Sequence, residues 1–298
     1  MSTAARAVPF LKGHGTENDF VIIPDADGRL DLSAADVARL CDRRAGLGAD
    51  GVLRVVRSAA DPEAVELADR AEWFMDYRNA DGSLAEMCGN GLRVFARYLR
   101  HAGLAKEPEV TVATRAGLRR ARFDARDAER GPVTVTMGGA RLPAGAGASV
   151  TVTVGERSWP GHHVDMGNPH AVAFVDDLAQ AGPLLEPPVV RPADAYPHGT
   201  NVEFVVDRGE RHVALRVHER GSGETRSCGT GACAVMVAAA RRDGHDPASD
   251  GRPVTYTVDV PGGRLEITEA VDGTVTLTGP ALIVAEGTLA PPLLPTGA

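Results

Sequence analysis

The chain carries one ordered set of local signals twice. Gly15-Thr-Glu-Asn18-Asp-Phe precedes a strand-like run in the first half, and Met166-Gly-Asn168-Pro-His170 precedes one in the second. Gly48-Ala-Asp50-Gly-Val-Leu-Arg-Val-Val is then answered by Gly199-Thr-Asn201-Val-Glu-Phe-Val-Val, and Cys88-Gly-Asn-Gly by Cys228-Gly-Thr-Gly. The offsets are 150, 151 and 140 residues. A repeat of that size, in a chain of 298 residues, reads as two related domains rather than one continuous core. The stretch 138–149, rich in Gly, Ala and Pro, and the loop-like Gly131-Pro132 fall near the join. Expected domain limits are therefore 1–132 and 133–278.

Strand-like alternation or β-branched runs occur at 20–23, 52–56, 71–77, 134–137, 150–154, 171–175, 202–206, 212–218, 255–260 and 274–278. Helical spacing is clear in fewer places. Ser33 is placed to cap 34–44, where Val37, Leu40 and Cys41 share a face. An amphipathic helix is expected over 92–100, and 232–240 is apolar on every side, the pattern of a buried helix. Strands outnumber helices, so α+β fits better than a βαβ array.

Composition narrows the function classes. A formal charge of −8 argues against nucleic acid as a partner. No run is long enough to span a membrane, and 1–9 lacks the apolar core of a secretory signal, so a cytoplasmic protein with reduced thiols is expected. Lys12 and Lys106 are the only lysines, leaving few candidates for a pyridoxal Schiff base. The four cysteines, Cys41, Cys88, Cys228 and Cys233, are too scattered for a disulfide scaffold. Cys228 and Cys233 have neither metal-ligand nor CxxC spacing, so no metal site is expected.

Cys88 and Cys228 each stand before a Gly-X-Gly turn that opens a helix. Such a turn presents backbone donors to an anion, and the positive helix end lowers the pKa of a nearby thiol. A single cysteine before glycine is more often a small buried residue than a catalyst. Its recurrence in the same turn-to-helix setting favours chemistry. With the two domains facing each other, a substrate carboxylate would be held between two helix ends with a thiol on either side of its α-carbon. One thiolate would remove the α-proton while the opposite thiol delivers another. Cys41 and Cys233 sit on apolar helix faces and read as packing residues.

Other polar residues flank these turns. Asn79-Ala-Asp81-Gly-Ser leads into the first, and Glu219-Arg220-Gly-Ser-Gly-Glu-Thr-Arg226 into the second. Turn formation alone accounts for Asn79 and Asp81, and a solvated loop for Arg226. Arg220 is open to two readings, a surface pair with Glu219 or a carboxylate clamp. Asn18, Asn168 and Asn201 border strands, where turn and ligand roles compete, and His170 has packing or capping as its alternative.

Together these segments resemble the diaminopimelate epimerase family. Lys12-Gly-His-Gly-Thr-Glu-Asn18-Asp-Phe looks like its N-terminal motif, and Asn79-Ala-Asp-Gly-Ser-Leu-Ala-Glu-Met-Cys88-Gly-Asn-Gly-Leu-Arg like its first long motif. Gly167-Asn168-Pro-His170 and the run from Glu219 through Cys228-Gly-Thr-Gly-Ala-Cys233 complete the set. The resemblance implies two pseudo-symmetric domains, each a curved, mostly antiparallel sheet around a central helix, with a last strand in 279–298 returning to the first domain. It implies a cofactor-independent, homodimeric enzyme that interconverts LL- and meso-diaminopimelate and closes its cleft on the substrate. Cys88 and Cys228 would be the acid/base pair, supported by His170 and Glu219. Asn18, Asn79, Asn168, Asn201 and Arg220 would recognise the substrate, with Glu219 beside them. The backbone of Gly89, Asn90, Gly229 and Thr230 would hold the reacting carboxylate. Proline-racemase-like enzymes also use two cysteines and phenazine-biosynthesis-like isomerases lack the pair; the Cys-Gly-Asn-Gly turn and the Asn79 motif favour the diaminopimelate branch. A non-catalytic amino-acid-binding or thiol-redox protein is the alternative from another class.

Overall fold

A computed structural model describes residues 8–290. Two compact units emerge: one runs to Val135 and takes in the segment from Pro280, the other is Thr136–Gly279. The first contains β1 (Val8–Gly15), β2 (Asn18–Pro24), α1 (Ala34–Cys41), β3 (Gly51–Arg57), β4 (Trp73–Asn79), α2 (Gly89–His101), β5 (Glu109–Thr114) and β6 (Gly117–Phe123). β7 (Val133–Gly139) carries the chain into the second unit. There follow β8 (Val150–Val154), β9 (Arg157–Asp165), β10 (Pro169–Phe174), β11 (Val189–Arg191), β12 (Asn201–Gly209), β13 (His212–Glu219) and β14 (Gly223–Thr225). The unit ends with α3 (Gly229–Arg242), β15 (Val254–Val260), β16 (Gly263–Glu269) and β17 (Thr274–Gly279), and β18 (Leu282–Leu289) returns to pair antiparallel with β1.

The duplication is visible in the ladders. In the first unit β1–β2 is antiparallel, β2–β3 parallel, β3–β4 antiparallel, β4–β5 parallel and β5–β6 antiparallel. The second repeats the series with β9–β10, β10–β12, β12–β13, β13–β15 and β15–β16. Register corrects one sequence match. Phe20 pairs with Gly51 and His170 with Asn201, so Asn201 stands where Gly51 does, one residue away from the expected partner Asp50.

Each unit wraps its sheet around one long helix. α2 touches β18, β1, β2, β3, β4 and β6, strands from one end of the ladder nearly to the other, which requires the sheet to curve. α3 does the same against β9, β10, β12, β13, β15, β16 and β17. Enclosure explains the all-apolar composition of α3, buried from Ala232 to Ala240. The amphipathic helix expected over 92–100 is present in α2, but its arginine side is buried too, with Arg93 and Arg97 inaccessible. Their guanidinium groups donate to carbonyl oxygens instead of water. Arg93 reaches Pro280 O at 3.3 Å, and Arg97 reaches Ala281 O at 3.1 Å and Ala128 O at 2.6 Å. These bonds tie the returning segment to α2. Helix α1 stops at Cys41 rather than 44, because Asp42 turns to extended backbone and its carboxylate accepts from the N–H groups of Arg44 and Ala45. No helix among the described residues is long and apolar enough to cross a membrane.

Candidate active site

In the first unit Cys88 is the N-cap of α2. Its sulfur accepts from Gly91 N–H at 3.3 Å, the role a serine or aspartate oxygen usually takes. Gly91 permits this closeness: an added Cβ would meet Cys88 Cβ, Leu53 and Phe20 at 3.3–3.5 Å. Asn18, the first residue of β2, lies beside the sulfur, accepting from Cys88 Sγ at 3.7 Å and from Asn90 Nδ2 at 3.2 Å. The other end of the Asn18 amide donates to Asp50 Oδ2 at 2.8 Å, and Arg43 donates to Asp50 at 2.7 Å. Asn18, Cys88, Gly89 and Asn90 therefore come together. Asn79, at the end of β4, does turn work here: it accepts from Tyr77 Oη at 2.9 Å and donates to Ser83 Oγ at 3.0 Å, while Gly82 N–H closes the turn on its carbonyl at 2.9 Å.

The second unit repeats the cap. Cys228 Sγ accepts from Gly231 N–H at 3.3 Å, and Thr230 Oγ1 lies 3.5 Å from the sulfur. Burial pushes the Cys228 thiol well above its ordinary range, and the Glu219 and Glu203 carboxylates push it further; Thr230 and Gly231 oppose them. Glu219, half-buried at the end of β13, is raised first by burial, against hydrogen bonds from Thr225 and Cys228. The resting half-site thus favours the protonated thiol, the form that donates a proton. Asn168 donates to Thr230 Oγ1 at 3.2 Å and its Oδ1 lies 3.0 Å from His170 Nε2. Asn201 bridges backbone, from Nδ2 to Pro169 O at 3.1 Å and from Arg220 N–H to its Oδ1 at 3.0 Å. Arg220 extends its side chain to His198 O at 3.3 Å. Asn168, His170, Glu219, Cys228, Gly229 and Thr230 are brought together, while the Asn201 and Arg220 side chains bond to backbone groups.

The remaining cysteines pack. Cys41 belongs to the core of α1 with Val37 and Leu40, where burial pushes its thiol up to about 11, and Cys233 is fully enclosed in α3. No group of three or more potential metal ligands occurs among the described residues.

Sequence reading misses two groups. Asp50 enters it only as a repeat match, yet it anchors Asn18. Glu203 is fully buried under the α3 turn, its Oε1 2.6 Å from His170 Nδ1. The available signal is a lone charge inside the apolar run Asn201-Val-Glu-Phe-Val-Val. Glu203 also fixes the residue at 231, since a Cβ there would lie 2.6 Å from Glu203 Oε1. Gly231→Ala is accordingly expected to cost about 1–3 kcal/mol of stability and to lower turnover, whereas Gly91→Ala, with no contact under 3.3 Å, is milder. Denaturant midpoints and initial rates of the two variants check this order.

Comparison with known proteins agrees with this architecture. The solved structure of a Bacillus anthracis phenazine biosynthesis protein of the PhzF family superposes with a TM-score of 0.68 at 16% identity, over 96% of this chain and 99% of that one. A hydroxyproline epimerase from Agrobacterium vitis gives 0.66 at 17% identity, over 95% and 91%. Those likenesses show the two-domain, strand-rich fold. Sequence similarity is closer elsewhere: a diaminopimelate epimerase of Streptomyces coelicolor is 68% identical over 280 residues, 94% of each chain. One from Thermobifida fusca is 49% identical over 282 residues, 93% of this chain and 96% of the relative. The sequence model of diaminopimelate epimerase matches residues 10–143 and 162–284. The chain belongs to the diaminopimelate epimerase family.

Proposed function

We propose that the protein interconverts LL- and meso-2,6-diaminopimelate by moving one α-proton between two cysteines, without a cofactor. The observation that carries this reading is the duplicated cap, a thiol in each unit accepting from the N–H three residues on, at 3.3 Å in both. Each sulfur thereby lies at the positive end of a helix, of 13 residues in the first unit and 14 in the second. The N–H groups of the first turns point out of the helix ends and suit a carboxylate. With the two half-sites on one substrate, Cys88 and Cys228 act from opposite faces of the α-carbon, one as base and the other as acid, and exchange roles in the reverse direction. The carboxylate gains charge as the carbanion forms, and the helix ends stabilise it most at that point. Asn18, Asn168 and the backbone of Gly89, Asn90, Gly229 and Thr230 position the reacting end. His170 and Glu219 support Cys228. Asn79, Asn201 and Arg220 take the distal part of the substrate.

The duplicated domains are proposed as 1–132 with 279–298, and 133–278. Two catalytic thiols need a reducing compartment, which supports a cytoplasmic location. A homodimer, with no membrane or nucleic-acid partner, follows from the family resemblance and the acidic charge of −8.

Incubation of the reduced protein with LL-diaminopimelate in D₂O is expected to give the meso isomer carrying α-deuterium. No meso isomer and no deuterium uptake would reject the reading.

A further inference from the structure

The two half-sites are built alike except beneath the cap glycine. In the first unit the layer under Gly91 is Phe20 and Leu53, both fully buried. The equivalent ladder positions of the second unit hold His170 and Glu203. Both are fully inaccessible and 2.6 Å apart. A buried carboxylate beside a buried imidazole is costly where two apolar side chains would serve, so their place under only one of the thiols calls for a reason. The hydrogen bonds supply it. Among the described residues Glu203 Oε2 has no hydrogen-bond partner, so His170 is what Glu203 engages. His170 Nε2 faces Asn168 Oδ1 at 3.0 Å, and that oxygen is fixed as the acceptor because the amide nitrogen donates to Thr230 Oγ1 at 3.2 Å. Nε2 must therefore carry a hydrogen. Thr230, having accepted from Asn168, has its own hydrogen available for the Cys228 sulfur 3.5 Å away. The donors run in one direction, from His170 through Asn168 and Thr230 to the sulfur. The resting Cys228 thiol in turn donates to Glu219, as the Cys88 thiol of the first unit donates to Asn18.

We propose that Glu203 is a positioning residue for Cys228: its carboxylate accepts from His170 Nδ1–H and so holds the ring with both nitrogens protonated, Nε2–H toward Asn168, which aims the Asn168 and Thr230 donors at the sulfur when it is a thiolate. This rests on the two-thiol reading of the site. The titratable groups around Glu203 are His170, Tyr196, Glu219 and Cys228, and a negative Glu203 disfavours a second negative charge at Tyr196, Glu219 and Cys228. The donor chain offsets that push at the one group that must ionise. The assignment predicts an asymmetry between substrates. Loss of Glu203 impairs the direction in which Cys228 removes the proton more than the direction in which Cys88 does.

The test uses the full chain and two variants. Glu203→Leu installs the residue type found at position 53 and leaves Nδ1 without its partner. It is expected to lower kcat about tenfold or more in one direction, with KM changed less, and to slow iodoacetamide labelling of Cys228 relative to Cys88. Glu203→Gln can donate from its amide to Nδ1, which keeps the Nε2–H form, and is expected to recover most of the rate. Imidazole ¹⁵N spectra of His170, assigned through His170→Asn, are expected to show Nε2 protonated in the wild type and in Glu203→Gln. A folded Glu203→Leu with wild-type kcat in both directions and unchanged labelling would overturn the proposal. So would a Glu203→Gln protein with full activity and the proton on Nδ1 alone, a result readable even where the leucine variant does not fold. Wild-type turnover is measured first, because its absence overturns the two-thiol reading itself, whereas normal wild-type turnover beside an unaffected Glu203→Leu overturns only the role of Glu203.

Discussion

Cys88→Ser and Cys228→Ser are each expected to lower epimerisation by about 10³-fold, the scale of a lost general acid or base, in a protein that remains folded. A serine oxygen still accepts the cap hydrogen bond from Gly91 or Gly231, so the α2 and α3 caps persist. What disappears is a proton donor and acceptor of accessible acidity, since a hydroxyl is far harder to ionise than a thiol. Both substitutions matter because the proton leaves on one face and arrives on the other. Cys41→Ala provides the control: the residue is packed against Val37 and Leu40 and touches no cap. Its activity per folded molecule is expected to stay within about twofold of wild type, because the change is remote from both half-sites. Initial rates by chiral chromatography, with circular dichroism as the check on folding, measure all three. Retention of more than about a tenth of wild-type activity in either serine variant would mean that one thiol suffices.

The largest expected effect on stability lies in the first unit, away from the thiols. Arg54 on β3 is buried, with Nε 2.9 Å from Asp25, and Nη1 3.0 Å from Asp61 and 3.3 Å from Asp76. Burial alone would raise the Asp76 carboxyl, but Arg78 and Arg115 bring it below the usual carboxylate range. Arg54→Leu leaves three inaccessible aspartates short of their shared cation. Removing one partner of a buried charge cluster costs about 3–5 kcal/mol, and in a unit of this size about 10 °C of melting temperature. Thermal unfolding at neutral pH measures it. A shift under about 2 °C would show that the aspartates find other partners or take up protons without loss.

Much of this architecture is written locally in the chain. Every strand expected from apolar or β-branched runs is present, including Gly51–Arg57 and Asn201–Gly209, because fully buried strands read as continuous apolar stretches. Strands such as Glu109–Thr114 and Gly117–Phe123 were not legible. Their arginines and threonines mask the alternation, and pairing between them supplies what composition does not hint at. The same limit applies to α2. Arg93 and Arg97 mark a polar face by spacing, yet their partners are carbonyls of Pro280 and Ala281, 187 and 184 residues away along the chain.

At the site, the caps were legible because a Cys-Gly-X-Gly turn opening a helix is a local signal. Glu203 was not, for a buried carboxylate is explained only by what the fold sets beside it. Asn79 shows the converse. Its turn was evident from neighbouring residues, and the structure presents that turn with both ends of the amide engaged by Tyr77 and Ser83.

The central claim is that two separate thiols handle the proton, one on each face. The most direct measurement is the early distribution of deuterium when LL-diaminopimelate turns over in D₂O. Two-thiol transfer predicts one α-deuterium in the first meso product and almost none in the recovered LL substrate, because the donating thiol carries solvent deuterium while the accepting thiol holds substrate hydrogen. Deuterium appearing equally in product and recovered substrate from the start, or a product that retains the substrate proton, would contradict it.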